Sequence, residues 1–105
     1  MQVEGIRTGD RYDVKDDRGR TVGGWTATGE AIVKDGRAYV PIRHHDGRED
    51  TIVKLVGTQI PITFGVGNPA ETMAKVTGST KYTYVETHVA LDGTETELSR
   101  TEYER

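Results

Sequence analysis

Apolar and polar residues alternate along much of the chain, and three Asp-Gly pairs interrupt this alternation: Asp35-Gly36, Asp46-Gly47 and Asp92-Gly93. Asp tolerates a positive φ angle and Gly adopts one freely, so an Asp-Gly pair between alternating segments is typical of a two-residue hairpin loop. The sequence therefore predicts three β-hairpins. A fourth turn of a longer type is predicted at Asp16-Asp17-Arg18-Gly19.

A two-residue loop also determines which residues pair across a hairpin. Around Asp46-Gly47 it pairs Val40 with Val53 and Arg43 with Asp50. Together with the loop at Asp35-Gly36, it predicts a three-stranded meander whose apolar face carries Ala31, Val33, Ala38, Val40, Ile42, Val53 and Leu55. The opposite face is predicted to carry Ile32, Lys34, Arg37, Tyr39, Arg43, Asp50, Ile52 and Lys54.

The strand entering this meander is predicted to be long, over about 20–34, and it contains Gly23, Gly24 and Gly29. Glycines inside a strand favour bulges and sharp bends, which small barrels use to curl a sheet. The stretch GDRYDVKDDRGRTVGGW followed by a meander resembles the general plan of an SH3-like barrel, which is an architecture and implies no particular function. We therefore expect a mainly β fold, a small SH3-like or OB-like barrel or meander, with Trp25 and Phe64 in its core.

A strand at about 59–64 is predicted to lead into one short α-helix at about 69–76. Asn68 suits the N-cap of this helix, Pro69 its first position and Glu71 its third, and Gly78 suits the position where it ends. A helix of about two turns is too short to be stable alone. We expect it to cover an open end of the barrel.

The terminal hairpin, 80–91 with 94–104, is poorer in apolar residues than the rest of the chain. Its register, taken from Asp92-Gly93, puts Val85, Val89, Leu91 and Leu98 on one face. A two-stranded ribbon of this composition is marginal in water and needs a further contact. We predict that it is the main protein-interaction element, through the residues Tyr82, Tyr84, His88, Glu97 and Tyr103. The alternative is that the ribbon closes the barrel by pairing with residues 2–7.

Length and composition indicate one small domain over residues 1–105. Of its residues, 33% are hydrophobic and 30% charged, none is cysteine, and no apolar run approaches the length of a membrane span. No signal peptide is visible at the start, so we expect a cytoplasmic protein, or a virion protein if a phage encodes it. The net charge of −3 is opposite to the bias that a polyphosphate partner selects.

Few residues suggest catalysis or cofactor binding. Neighbouring strand residues point to opposite faces, so His44 and His45 cannot both bind one metal ion without a bulge. Gly65-Val66-Gly67 lies before a predicted helix, but the rest of a nucleotide-binding motif is absent. Neither Ser79 nor Ser99 lies in a nucleophile motif. We therefore expect no enzyme activity, no metal and no cofactor.

Two functions fit this sequence better than a third, which is a small-ligand or enzymatic site in the barrel mouth near residues 65–68. The first is a non-catalytic protein-interaction or assembly module that binds another protein or its own copies, and a phage or viral particle or accessory protein is one setting for it. The alternative is a nucleic-acid-binding small β-barrel. It would use the predicted basic face of Arg37, Tyr39, Arg43 and Lys54, where an exposed aromatic ring could stack on bases and cations could follow the phosphates.

Overall fold

The computed structural model describes residues 1–65 and 81–104, and it is a mainly β fold. A short 3-10 turn at Val3–Gly5 precedes seven strands: β1 (Arg11–Asp16), β2 (Thr21–Ala27), β3 (Ile32–Lys34), β4 (Arg37–His44), β5 (Glu49–Leu55), β6 (Lys81–Val89) and β7 (Glu95–Glu104). All the pairings are antiparallel, and the sheet curls into a half-barrel. The strands lie in the order β5-β4-β2-β1-β6-β7, and β3 pairs with β4 on the same side as β2. The predicted helix at 69–76 lies outside the described residues.

The predicted long strand at 20–34 is divided into β2 and β3, which pair with the same β4. Ala27 lies opposite Ile42 and Ile32 lies opposite Tyr39, so β2–β3 has two more residues than β4 between these pairs. The extra residues bend the strand, as the glycine content predicts. Gly29 is needed at this bend, because a Cβ there would lie 2.7 Å from Cγ of Pro41.

The first hairpin has the predicted loop and register. Asp35 and Gly36 have φ angles of 51° and 75°, as a two-residue type I′ turn requires. Lys34 pairs with Arg37 and Val33 with Ala38. The prediction for this hairpin is confirmed.

The register predicted for the second hairpin is wrong by one residue. The loop has three residues, because Gly47 N–H donates to the carbonyl of His44 and His44 N–H donates to that of Arg48. Gly47, at φ 92°, takes the left-handed position that closes such a loop, and the Asp46 carboxylate accepts the N–H of Arg48 at 3.0 Å.

This shift exchanges the two faces of β5, since side chains alternate along a strand. Val40 now lies opposite Ile52, and both are fully buried. Val53 lies opposite Tyr39 and is 44% exposed. The predictions that Val53 and Leu55 belong to the core and Ile52 to the outer face are therefore wrong.

The last hairpin has the same type of three-residue loop, and a bulge then compensates for it. Val89 pairs with Glu95 and Thr87 with Glu97, one residue away from the prediction. Leu98 is an extra residue on β7, and beyond it the predicted pairs return, from Glu86 with Ser99 to Tyr82 with Tyr103. Within the described residues, this hairpin pairs with β1 through β6 and not with residues 2–7, where only Gln2 forms a bridge, to Gln59.

The core lies on the concave face of the half-barrel. Its buried members are Val3, Ile6, Tyr12, Trp25, Ala27, Ala38, Val40, Ile42 and Ile52. Residues 59–64 cross this face as an irregular segment and not as the predicted strand, with only Gln59 forming a bridge, to Gln2. Trp25 is buried as predicted and donates its indole N–H to the carbonyl of Pro61 at 3.0 Å, while Phe64 packs partly buried against the core.

Asp16 holds the turn between β1 and β2. Its buried carboxylate accepts the backbone N–H groups of Arg18 and Arg20 at 2.9 and 2.8 Å, and Nε of Arg20 at 2.6 Å. Burial raises the pKa of Asp16, but these hydrogen bonds outweigh that effect and leave the pKa below its ordinary value. The stability from this carboxylate is therefore complete above its unfolded pKa of about 3.9 and is lost as the pH falls through the lowered folded pKa.

We expect Asp16→Asn to lower the free energy of unfolding by about 2 kcal/mol at pH 7, because the charge-assisted hydrogen bonds to the buried carboxylate are lost. The difference from the wild type should shrink below about pH 4, as the wild-type carboxylate becomes protonated. Urea denaturation at pH 7 and at about pH 3 measures both values, with Asp17→Asn at an exposed neighbour as the control. A pH-independent difference would contradict this role of the charge.

Candidate interaction surface

Strands β3, β4 and β5 carry a patch of apolar side chains on their outer face. Ile32, Tyr39 and Val53 lie directly opposite one another across the three strands, and Leu55 lies in the next row, opposite Arg37. Ile32 is 65% exposed, Val53 44% and Leu55 63%, and Tyr39 is half-buried. We call Ile32, Tyr39, Val53 and Leu55 the apolar patch.

Lys34 and Arg37 border the apolar patch on one side. The two residues pair across the β3–β4 hairpin and both are exposed. This part of the sheet thus presents aliphatic groups and one phenol beside two cations, a combination that suits a partner with apolar and acidic side chains.

The structure does not bring together the four residues predicted to bind nucleic acid. Arg37, Tyr39 and Arg43 share the outer face, since they alternate along β4. Lys54 lies opposite Ala38 and so belongs to the other face. The one-residue shift in the register of β5 moves Lys54 off the face that carries Tyr39. The same shift moves Val53 and Leu55 onto that face.

Arg43 is paired with an acid, but not with the predicted one. Its guanidinium lies 3.2 Å from the carboxylate of Glu49, whereas Asp50 is 3.0 Å from Nε2 of His44 on the core face. The outer face between Arg37 and Arg43 therefore does not form a continuous basic stripe.

The rest of the outer face carries alternating charges of both signs. Arg11 contacts Asp13 at 2.9 Å, and the hydrogen bonds that Arg11 donates to the Asp13 carboxylate raise the pKa of the guanidinium. Lys15 donates to Glu95, and this bond lowers the pKa of that carboxyl. Val85, Thr87 and Val89 of β6 are buried on the same face. The charges described here are therefore paired within the sheet itself.

The residues predicted on the terminal hairpin are divided between two faces. Tyr84 and His88 share the concave face of β6 with Tyr12 of β1. Glu97 lies on the opposite face, because the bulge at Leu98 places Glu97 opposite Thr87. Its carboxylate accepts a hydrogen bond from Arg100 at 2.8 Å. The backbones of Tyr82 and Tyr103 pair, and their side chains lie outside what the structure describes.

An apolar cleft of about 470 Å³ lies beside His88 on the concave face. Its walls are Met1, Tyr12, Gln59, Ile60, Ile62, His88 and Leu98. The His88 ring lies 4.9 Å from that of Tyr12, and its Nε2 is 4.0 Å from Asp10. Burial, together with the nearby charge of Asp10, raises the pKa of the Tyr12 phenol. The Tyr12 phenol is thus held neutral and its ring packs as part of the core.

The His44-His45-Asp46 segment does not assemble a metal site. His44 is buried, stacks on Phe64 with 5.8 Å between ring centres and bonds to Asp50, whereas His45 is exposed in the loop. The bond to His44 is the largest of the effects that lower the pKa of Asp50. Among residues 1–65 and 81–104, no group of three or more His, Asp or Glu side chains could hold a metal ion.

Of the other candidate motifs, only parts can be located. Gly65 contacts the His44 ring so closely that a Cβ would lie 2.3 Å from Cε1, which gives this glycine a packing role. Val66 and Gly67 lie outside the described residues, as does Ser79. Ser99 donates to the carboxylate of Glu86 at 3.1 Å.

Comparisons with protein-family models, with curated proteins and with solved structures find no match to this chain. In the part of the chain that the structure describes, no helix is both long and apolar enough to cross a membrane.

Proposed function

We propose that this chain is a non-catalytic protein-interaction module, on an SH3-like or OB-like barrel plan, and that it binds a protein through the apolar patch on β3–β5. The observation that carries this proposal is the exposure of Ile32, Val53 and Leu55 on a regular sheet. Contiguous apolar side chains on a sheet surface mark interaction sites, since removing each Å² of them from water contributes about 25 cal/mol against the cost of association.

The surroundings of the patch favour a protein over a nucleic acid. A nucleic-acid site needs cations spaced along a groove, and the outer face of β4 offers Arg37 and an Arg43 that already contacts Glu49. Aliphatic side chains at the centre of the patch contribute little to phosphate binding. They do supply the desolvated centre that protein interfaces have.

A second candidate surface for the same function is the terminal hairpin. Tyr84 and His88 border the concave face, and the cleft beside His88 is lined mainly by apolar groups. Deleting residues 80–105 would not test this surface cleanly, because it would remove the strand that pairs with β1. The prediction of an interaction role for the hairpin therefore needs a test at single positions.

A photo-crosslinking amino acid placed at single positions distinguishes the surfaces. At position 55 we expect adducts with protein after irradiation in the native cell, because Leu55 lies in the apolar patch. Leu91 is the matched control, since it is aliphatic and 88% exposed but lies at the tip of the last hairpin. Adducts from position 84 and none from position 55 would move the interaction to the terminal hairpin.

The nucleic-acid alternative has its own measurement. In gel-shift titrations at low salt with single- and double-stranded probes, we expect no binding at about 10–100 µM protein, where non-specific binders already shift DNA. A shift that disappears in Arg37→Glu and Arg43→Glu would overturn the choice of a protein partner.

A further inference from the structure

Strand β5 is an edge of the sheet, and half of its backbone groups point away from β4. His44 N–H donates to the carbonyl of Arg48, so residues 44 and 48 form a hydrogen-bonded pair. Val56 N–H donates to the carbonyl of Gly36, so residues 36 and 56 form another. Bonded positions alternate in an antiparallel pair, so the even-numbered residues of β5 bond to β4. The N–H and C=O groups of Thr51, Val53 and Leu55 therefore point to the edge, where no other strand pairs among the described residues.

The edges of the sheet at β5 and β7 differ in how they are protected, while the edge at β3 is only three residues long. The β7 edge carries charged residues along its length and the bulge at Leu98, and both features discourage pairing with another strand. The edge-pointing residues at the centre of β5 are Thr51 and Val53, and no bulge interrupts its register with β4. Of the two edges, β5 is the better template for an added strand.

The charges of β5 are complementary to those of a second, antiparallel β5. The strand reads Glu-Asp-Thr-Ile-Val-Lys-Leu, with acids at its beginning and a lysine near its end. If two copies cross at Ile52, Asp50 of each lies opposite Lys54 of the other, and Thr51 lies opposite Val53. Opposite charges at facing positions stabilise a sheet, whereas like charges destabilise it.

We propose that a second copy of this chain joins the first by antiparallel pairing of β5 with β5 about a two-fold axis at Ile52. This inference goes beyond the proposed function, because the pairing uses the backbone edge of β5 and leaves the apolar patch open to a different protein. Each N–H of Val53 would donate to the carbonyl of Thr51 in the other copy, and each N–H of Thr51 to that of Val53. Both apolar patches would then lie on one continuous sheet face.

The present contacts of Asp50 are compatible with this pairing. Its Oδ2 contacts His44, while its Oδ1 accepts the N–H of Thr51 at 2.7 Å. In the dimer this N–H would bond to the second copy, which makes Oδ1 available to Lys54 of that copy. Within the described residues Lys54 forms no ion pair, and its side chain is half-buried beside Ala38.

The test is the molar mass in solution, measured by sedimentation velocity and light scattering from low concentration up to about 1 mM, since small interfaces give weak complexes. The wild type should rise from 11.6 kDa towards twice that mass. Lys54→Asp and Asp50→Lys should each remain monomeric, because each places like charges opposite one another twice. The double variant Asp50→Lys/Lys54→Asp should dimerise again, because it restores both pairs with reversed sign.

A second variant separates pairing from folding. Val53→Pro removes an N–H that makes no bond to β4, a position where an edge strand tolerates proline. It should melt like the wild type at low concentration and stay monomeric at high concentration. Arg100→Glu, on the other edge, is the control and should not change the mass.

Several results would overturn the inference. One is a wild type that stays at 11.6 kDa at every concentration, and another is a dimer that both single charge variants and Val53→Pro leave intact. A monomeric wild type whose position 55 still crosslinks to a different protein would remove the second copy as partner while the proposed interaction function stands. Absence of both the dimer and the adducts would remove both.

Discussion

The variant Val40→Asp should fail to fold. Val40 is fully buried, lies opposite the equally buried Ile52 and belongs to the single core cluster of the described residues. A carboxylate there would lack a partner, and burying it costs several kcal/mol, which is comparable to the whole stability of a small domain. With only 33% hydrophobic residues, this chain has little further burial to offset the loss.

Circular dichroism and thermal melting in dilute solution measure this effect, and Val53→Asp is its matched control. The control makes the same exchange on the neighbouring strand, but at a partly exposed position of the outer face, so it should fold and lose only about 1 kcal/mol. Equal loss of stability in the two variants would show that Val53 is as buried as Val40. That result would mean that the second hairpin has the predicted two-residue loop, with Val53 opposite Val40 on the core face.

Gly24→Ala should be the most damaging of the alanine substitutions at the glycines whose surroundings the structure describes. Gly24 has a φ of 116°, and a Cβ there would lie 2.2 Å from the carbonyl oxygen of Tyr12 and 2.8 Å from Cα of Asp13. Both neighbours are backbone atoms of β1, which is held between β2 and β6 and cannot move away. We expect a loss of several kcal/mol, from backbone strain and from disrupted pairing of the two central strands.

Urea denaturation measures the loss, and Gly47→Ala separates its two causes. Gly47 also has a positive φ, of 92°, but a Cβ there would meet no atom within 4 Å. The control should therefore lose only the conformational cost, about 1–2 kcal/mol. If Gly24→Ala lost no more stability than Gly47→Ala, β1 and β2 could not lie as close to each other at Gly24 as the structure places them.

Part of the candidate surface was predictable from alternation alone. Arg37, Tyr39 and Arg43 share a face because they occupy alternate positions of one unbroken strand, and the same holds for Tyr84 and His88. Glu97 and Lys54 were assigned to the wrong face. Each of these two residues lies across a hairpin from the residues with which it was grouped, so its face depends on the register of that hairpin. One extra residue in the loop or in a bulge shifts the register and moves the side chain to the opposite face.

The sequence by itself determined where the chain turns, since Asp35-Gly36, Asp46-Gly47 and Asp92-Gly93 all lie in hairpin loops. Only the tertiary structure decided the loop lengths. Either register of β5 places aliphatic side chains on the core face. The three-residue loop places Ile52 there, and a two-residue loop would place Val53 and Leu55 there. Apolar patterning therefore cannot choose between the two registers. The choice comes from the loop bonds of Asp46 and Gly47 and from the packing of Ile52 on Val40. These contacts bury Ile52 and leave Val53 and Leu55 exposed, and so they create the apolar patch.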